Sequence, residues 1–456
     1  MTRHTAVTRV APAILGWGAL LILQSGCGLL DTATPDIIEP GKLESPEGAA
    51  ARRIGAIRDF GLAKDGDGSQ FGTEGLLALT GDMADEFAHS GFIPSTVEFD
   101  QRMVLVNNES LSEVYFRLHR ARVAAEGAAA ALERHSLDPA NDPGIAEMLA
   151  LAGFTYVYFG ENFCSGVPYS RVNGDQLELG PSDSTVGTLR RAIERFDSAV
   201  AHPGLAADPT GELQSLAQVG RGRALLDLGQ FAEASLAVQA VPTSFQYLSE
   251  HAASPLTLAN AIFVYGTSEP GADGGSLSVA DADGGNGLPY RALLDPRVPY
   301  DSSGHFGFDQ TTPQFNVLKY PTQESPVLVA DGIEARLIEA EAFLQASDFN
   351  SMTGILNQLR ATAISPALPA LSVPATQTAA ENQLFQERAL WLFATGHRLG
   401  DMRRLVRQYG RSADVVFPVG SYLRGGSYGT DVNFAVPLDE EQNPRFDRST
   451  CDPTLP

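Results

Sequence analysis

Three stretches of similar design recur along the chain and constrain its fold more than any other feature. They are "LAGFTYVYFG", "GRGRALLDLGQFAEASLAV" and "IEAEAFLQASDFNSM", and each places two small residues seven positions apart with a bulky residue between them. Seven residues are about two helical turns, so the small residues share one helix face and let a second helix approach closely. One copy alone indicates only an ordinary helix that ends at a small residue. Three copies predict a mainly α fold built from tetratricopeptide-like helical hairpins.

Further helices and one long irregular region surround these repeats. Apolar residues recur at spacings of three and four in residues 110–135 and 185–200, which predicts amphipathic helices. Residues 265–326 are instead rich in Gly, Pro, Asp and Ser. A loop-rich segment of this length inside a compact body is more often functional than spare. We therefore expect one helical domain, residues 48–456, with a loop-rich insert at about 265–326.

The N-terminus has the three parts of a secretory signal. A basic start is followed by an apolar run over residues 11–23 and by small residues before Cys27. Cysteine in this place resembles a bacterial lipobox, although Gln24 stands where leucine is usual. We expect residues 1–26 to be removed, Cys27 to be acylated, and residues 27–47 to form an acidic tether. The alternative is ordinary cleavage at a small-residue site that leaves a free thiol.

The charge of the chain excludes one class of partner. The sequence has 55 acidic and 32 basic side chains, and removal of the signal takes away two arginines and no acid. Nucleic-acid binding requires a basic face that neutralises phosphates, and no such face is visible. No later apolar run is long enough to span a bilayer. We expect no nucleic-acid partner and contact with the membrane through the lipid anchor alone.

The sequence carries no recognisable catalytic, metal or cofactor motif. It lacks a G-x-S-x-G elbow, an H-E-x-x-H pair, a Walker loop and a paired C-x-x-C. The segment at Asp65 begins like a calcium loop, but Gln70 replaces the turn glycine and Leu76 the closing glutamate. A second segment, at Asp281, has Ala292 in the closing place. We interpret both as Asp-Gly turns and expect no enzyme activity, no metal and no cofactor.

The stretch "ERALWLFATGHRLGDMRRL" is a positive island in an acidic chain. If it forms a continuous helix, spacings of three and four bring Arg398 close to Asp401 on one face, although Gly396 would change that register by breaking the helix. We interpret the island as internal ion pairing, with its last two arginines in solvent. The internal set comprises Glu387, Trp391, Arg398 and Asp401, and the solvated pair comprises Arg403 and Arg404.

Two cysteines remain if Cys27 is acylated. Cys164 lies in the loop "GENFCSGVP" and Cys451 lies close to the C-terminus. An even pair in an oxidising compartment favours a disulfide, which would close most of the chain into one loop. The competing interpretation is two separate free thiols.

Candidate ligand-binding residues are aromatic. The chain after the signal has a single tryptophan, Trp391, which belongs to the predicted internal set, so any stacking platform must use tyrosine or phenylalanine. The alternative for each candidate is that its ring folds back onto the helices as part of a small satellite core. The candidates are Phe92, Tyr290, His305, Phe306 and Phe308.

Six segments, in order, resemble those of the SusD/RagB family of nutrient-uptake lipoproteins. Beginning after the lipobox, they are "TGDMADEFAHSGF", "YFGENFCSGVPYS", "LLDPRVPYD", "LKYPTQESPVLVADGIEARLIEAEAFLQASDFNSMTGILNQLRA", the positive island and "AVPLDEEQNPRF". The departures are Gln24 and the additional Cys164. Six segments in one order make the resemblance specific over nearly the whole chain.

The resemblance implies a fold, a location and a role. It implies four tetratricopeptide-like units, anchoring at the outer membrane facing the exterior, and a SusC-like TonB-dependent transporter as partner. It also implies non-catalytic binding of an oligosaccharide, a peptide or another small nutrient, with the positive island packed away from the ligand. A different class of function is a helical-repeat scaffold that organises envelope proteins and has no nutrient ligand.

Overall fold

A computed structural model describes residues 43–69, 74–173, 176–267 and 275–456, and helices predominate among them. The helices are Pro46–Asp65 (α1), Gly75–Met83 (α2), Pro94–Asp100 (α3), Glu109–His135 (α4), Pro143–Asn162 (α5), Thr185–Ala201 (α6), Glu212–Asp227 (α7), Phe231–Val238 (α8), Ala261–Gly266 (α9), Gly332–Gln345 (α10), Phe349–Thr362 (α11), Gln377–Trp391 (α12), Arg398–Arg407 (α13) and Ala413–Val416 (α14). The prediction of a mainly α fold is confirmed, and α4 and α6 lie where the two amphipathic patterns were found.

The strands are short and pair in twos. They are Phe87–His89 (β1), Val167–Pro168 (β2), Arg171–Asn173 (β3), Gln176–Glu178 (β4), Ser182–Asp183 (β5), Gln246–Ser249 (β6), Leu277–Val279 (β7), Tyr300–Phe306 (β8), Pro313–Val317 (β9) and Val327–Asp331 (β10). All five pairs are antiparallel: β1 with β7, β2 with β5, β3 with β4, β6 with β10, and β8 with β9. Pairs this small cannot form a core of their own, so they depend on the helices.

Four helix pairs make up the scaffold: α1 with α4, α5 with α6, α7 with α8, and α10 with α11. The small residues of the repeats lie where these helices touch. A Cβ atom added to Gly153 would lie 2.7 Å from the Phe196 ring, and one added to Gly160 would lie 2.7 Å from Leu189. Glycine at both places therefore lets α6 pack directly against the backbone of α5.

Two of the hairpin turns are built in the same way. After α7, the amide of Gly229 donates to Leu226 and that of Gln230 donates to Leu225; after α10, the amides of Ser347 and Asp348 make the equivalent bonds. This is the Schellman arrangement, which needs a left-handed residue directly after the helix. Gly229 (φ 73°) and Ser347 (φ 58°) supply it. The two later repeats thus end in matching turns although only one has glycine there.

The described part of the insert, residues 265–267 and 275–326, shares a hydrophobic cluster with the scaffold. Strand β7 pairs with β1, and the β8–β9 hairpin lies beside β7. Phe87, Tyr290, Tyr320 and Phe393 are buried together in this cluster, which joins the insert to α2 and to the residues after α12. Apolar packing therefore holds the described part of the insert, including the β8–β9 hairpin, against the scaffold.

The first described helix begins at Pro46, where the hydroxyl of Ser45 accepts a hydrogen bond of 3.1 Å from the Gly48 amide. Cys27, the signal segment and residues 27–42 of the expected tether lie outside the described residues. No helix in the described part of the chain is both long and apolar enough to cross a bilayer.

Candidate functional site

Two exposed phenylalanine rings lie in tilted contact at the surface, one after β1 and one in the insert. Phe92, after β1, and Phe308, after β8, have ring centroids 4.8 Å apart and planes inclined at 54°. The two residues remain 59% and 38% exposed, and Phe306, two residues before Phe308 in the chain, is 51% exposed. Exposing large aromatic rings to water is energetically unfavourable, so the pair is a candidate binding surface.

Polar contacts hold the two halves of this pair together. The amide of Phe308 donates to the hydroxyl of Ser90 at 3.1 Å, and that hydroxyl donates to the Gly275 carbonyl at 2.9 Å. A Cβ on Gly307 would collide with Ser90 Oγ, so glycine is needed for this close approach. The Phe92 and Phe308 backbones are therefore positioned before any ligand arrives.

Arg424 adds a cation at the edge of the pair. Its Nη1 donates to the Gly91 carbonyl at 2.5 Å, and its Nε lies 3.6 Å from Asp309 Oδ2. Burial would raise the pKa of Asp309, but hydrogen bonds from Thr312 and Thr311 outweigh it and lower the pKa, so the carboxylate stays charged. Arg424 follows the β1 loop by more than 300 residues of chain, and no local sequence signal indicated it.

The predicted aromatic candidates divide between surface and core. The structure brings Phe92 and Phe308 together and leaves His305 and Phe306 exposed in β8. Tyr290 does not reach the surface: it is 0% exposed, with its ring 5.3 Å from Phe393 and its hydroxyl 3.4 Å from Asp85. Its prediction as a ligand contact is wrong for this structure, because apolar packing in the insert takes up the whole ring.

The positive island is not one continuous helix. Helix α12 ends at Trp391, Gly396 has a left-handed backbone (φ 79°), and α13 begins at Arg398. Arg398 and Asp401 both lie in α13, yet the predicted contact between them does not form, because the Arg398 guanidinium is turned to another acid. Arg398 instead holds Asp85 through two bonds of 2.6 and 2.8 Å.

Buried ion pairs occupy the rest of the island. Asp401 accepts bonds of 2.8 and 2.9 Å from Arg388 and lies 3.0 Å from Arg404 Nη2. Glu387 lies between Arg297 and Arg360, each with a shortest contact of 2.6 Å. The ring of Trp391 packs under the Arg297 guanidinium at 4.8 Å. These side chains join α12 and α13 to neighbouring segments, and Arg297, Arg360 and Glu387 also line an open surface cavity.

The last two arginines of the island are buried, which corrects the prediction that they face solvent. Arg403 and Arg404 are each 2% exposed. Arg403 donates to the carbonyls of Gly160 and Glu161 at the end of α5, and burial lowers its pKa to about 9. The physical reason is that α13 packs against the end of α5, a contact between distant segments that no local pattern indicates.

Cys164 and Cys451 are joined as a disulfide, with Cα atoms 5.1 Å apart. The amide of Cys164 donates to Phe434, and the amide of Val436 donates to Cys451 Sγ, so the C-terminal segment runs alongside the end of α5. Cross-linking there attaches the chain end to the scaffold.

Comparison with known proteins gives a likeness in structure alone. No family model and no curated protein sequence matches the chain. A SusD superfamily protein from Bacteroides vulgatus is 17% identical, with a TM-score of 0.62 over 90% of this chain and 98% of that one. Surface glycan-binding protein A from Bacteroides uniformis is 14% identical, with a TM-score of 0.65 over 89% and 99%.

A third structure of this kind is a laminarin-binding SusD-like protein, 16% identical, with a TM-score of 0.60 over 88% of this chain and 98% of that one. In all three cases the similarity extends over nearly the full length of the other protein. This chain therefore has the fold of the SusD superfamily.

Proposed function

We propose that this protein is a non-catalytic, lipid-anchored binding protein that captures a nutrient and delivers it to a SusC-like TonB-dependent transporter in the outer membrane. The observation that carries the proposal is the exposed pair of Phe92 and Phe308 on a SusD-like fold. Two proteins of similar structure are named for binding glycans, one of them laminarin.

The shape of the pair favours a short ligand. Two rings in contact offer one apolar platform flanked by the Arg424 guanidinium, which suits a molecule with an apolar face and polar edges. Sugar rings have such faces, and so do some peptide side chains. Trp391, the one tryptophan after the signal, is buried under Arg297. An extended polysaccharide would therefore have no exposed tryptophan ring to stack on.

Titration calorimetry with short oligosaccharides, including laminarin fragments, and with peptides tests the ligand assignment. For the ligand that binds, Phe92→Ala and Phe308→Ala should each weaken affinity at least about tenfold, because each removes half of the stacked surface. Phe116→Ala is the matched control, since Phe116 is 46% exposed on α4. Equal affinities for all four proteins would contradict the assignment.

The anchor is tested at Cys27. Acyl chains on this residue should keep the mature protein in the outer-membrane fraction, and Cys27→Ser should release it. Phase separation in detergent distinguishes lipidated from unmodified protein. Retention of the variant on membranes after a high-salt wash would contradict lipid anchoring.

Purification in mild detergent tests the partner. We expect a barrel protein to remain attached through a broad interface, and we expect the bound nutrient to be recovered chemically unchanged. A preparation without a barrel favours the alternative, a helical-repeat scaffold of the envelope. Turnover of the nutrient would instead indicate an enzyme.

A further inference from the structure

Three side chains that could hold a metal ion meet near the aromatic pair. Glu74 precedes α2, Asp82 lies in its last turn, and His89 ends β1, three residues before Phe92. One ligand atom from each lies within 4.8 Å of the others. Asp82 and His89 are 2% and 1% exposed, and the Glu74 side chain is 10% exposed. The group is therefore almost completely shielded from water.

Among the residues that the structure describes, Asp82 has no basic partner. Neither of its carboxylate oxygens has a hydrogen bond among the described residues, and Oε2 of Glu74 also has none. The charges that act on Asp82 come from Glu74, Asp100 and Asp283, all of them acidic. A buried carboxylate in such surroundings is strongly unfavourable unless a cation or a proton joins it.

The hydrogen bonds of His89 define its part in this group. Its Nδ1 accepts from the Gly91 amide at 3.0 Å, so a neutral ring carries its proton on Nε2, which lies 3.2 Å from Glu74 Oε1. Ser276 Oγ also lies 3.4 Å from this oxygen. The imidazole thus orients Glu74 and leaves Glu74 Oε2 and both oxygens of Asp82 available.

We propose that Glu74 and Asp82 bind a divalent cation, with His89 as the residue that positions Glu74. Carboxylate oxygens are the donors that hard cations such as Ca²⁺ prefer. If the ring proton instead moves from Nε2 to Nδ1, which gives up the hydrogen bond from Gly91, Nε2 can ligate, and the donor set of one nitrogen and two carboxylates then suits Zn²⁺. A preference for Ca²⁺ would therefore indicate that His89 only positions Glu74, and a preference for Zn²⁺ would indicate that His89 ligates the cation.

The position of the site gives the cation a structural consequence. It would tie the start of α2 to its last turn and, through the His89–Glu74 hydrogen bond, to β1, which continues through Ser90 and Gly91 into Phe92. The Ser90 hydroxyl in turn accepts from the Phe308 amide. A bound cation would stiffen the strand that carries one ring of the pair. Cation binding itself needs no nutrient, so its test is separate from that of the proposed function.

The experiment measures metal content and melting temperature of the purified protein after treatment with EDTA and dialysis. Calcium at about 100 times its dissociation constant should raise the melting temperature by roughly 3 °C, with zinc as the parallel arm. Mass spectrometry of the metal should find one ion per chain. Asp82→Asn and Glu74→Gln should both abolish the rise, and Glu74→Gln decides the matter if Asp82→Asn does not fold.

Glu86→Gln is the matched control, because Glu86 is a buried acid of the same segment and is 1% exposed. It should keep the full response to the cation. A wild-type protein whose melting temperature and metal content respond to neither Ca²⁺ nor Zn²⁺ would overturn the proposal. A proton on Asp82 would then be the neutralising group, and Asp82→Asn would be at least as stable as wild type.

Discussion

Two groups of buried acids in this protein have opposite surroundings. In α13, burial would raise the pKa of Asp401, but the guanidinium groups of Arg388 and Arg404 outweigh that effect and hold it far below its usual range. At the end of α2, burial and the nearby Glu74 carboxylate raise the pKa of Asp82 well above its usual range. Both carboxyl groups are buried, so burial does not explain why their pKa values move in opposite directions. The presence or absence of a basic partner separates structural ion pairing from a candidate site.

The segment "GDMADE" shows the same contrast within six residues. Asp85 is paired with Arg398 by two bonds. Glu86 accepts a bond of 2.9 Å from the Ala394 amide, and burial raises its pKa to about 8. Among the described residues, Asp82 has neither an arginine partner nor a hydrogen bond from a backbone amide. Of these three neighbouring acids, Asp85 is ion-paired, Glu86 binds its proton tightly, and Asp82 still needs a neutralising partner.

The largest effect is expected for Asp401→Asn. The change leaves Arg388 and Arg404 buried with too little negative charge, so the free energy of unfolding should fall by about 3–5 kcal/mol. Chemical denaturation in EDTA measures it, with Asp82→Asn as the comparison. The latter should cost less than about 1 kcal/mol, because no basic partner is lost. Equal losses for the two variants would break the comparison.

Arg403→Met is expected to have the next largest effect. It removes the donors from the carbonyls of Gly160 and Glu161, which should lower the free energy of unfolding by about 2–3 kcal/mol. Arg171→Met provides the control, because that side chain is 72% exposed and its ion pair with Glu178 should contribute less than about 0.5 kcal/mol. Equal stability of both variants would mean that Arg403 is solvated after all.

A smaller effect is expected from the proton on Glu86. Its pKa rises from 4.5 to about 8 on folding, so the stability from this proton is complete below pH 4.5 and is lost as the pH approaches about 8. Between about pH 6 and 8, wild type should lose roughly 1–2 kcal/mol that Glu86→Gln does not lose. Denaturation at a series of pH values measures the difference.

Asp85, Arg398 and Lys319 are the charged groups that act on Glu86, and they are present in both proteins. The difference between the two pH profiles therefore reports the Glu86 proton together with its effect on Lys319, whose pKa burial lowers to about 8 and the Glu86 charge raises. Parallel profiles would show that Glu86 is ionised in the folded protein.

The smallest change in stability is expected at the aromatic pair. Phe92→Ala removes a ring that is 59% exposed, so the free energy of unfolding should change by no more than about 1 kcal/mol. Phe393→Ala, a fully buried ring of the insert cluster, should cost about 3–5 kcal/mol by the same denaturation assay. A large loss for Phe92→Ala would assign the pair to the core and not to a binding surface.

The sequence was most informative where structure depends on nearby residues. Gly153 and Gly160 share a helix face because of the helical period, and the structure places α6 on that face. The sequence failed at Arg398 because its partner, Asp85, lies more than 300 residues earlier in the chain and no helical spacing indicates such a contact. The prediction that Tyr290 contacts a ligand failed for another reason. A loop-rich segment has no periodic pattern that distinguishes a surface ring from a core ring. Glu74, Asp82 and His89 have no motif spacing, so they were not recognised as a group.

The sequence by itself determined the helical hairpins, their turns and the excess of acid, because helical period, capping and composition are local properties of the chain. Only the tertiary structure decided which arginine meets which acid, which rings stay in water, and which acid has no partner. Those outcomes depend on contacts between distant segments, such as Arg398 with Asp85 and Phe92 with Phe308. No local preference specifies such contacts, since they form only when the packing of the whole chain brings the segments together.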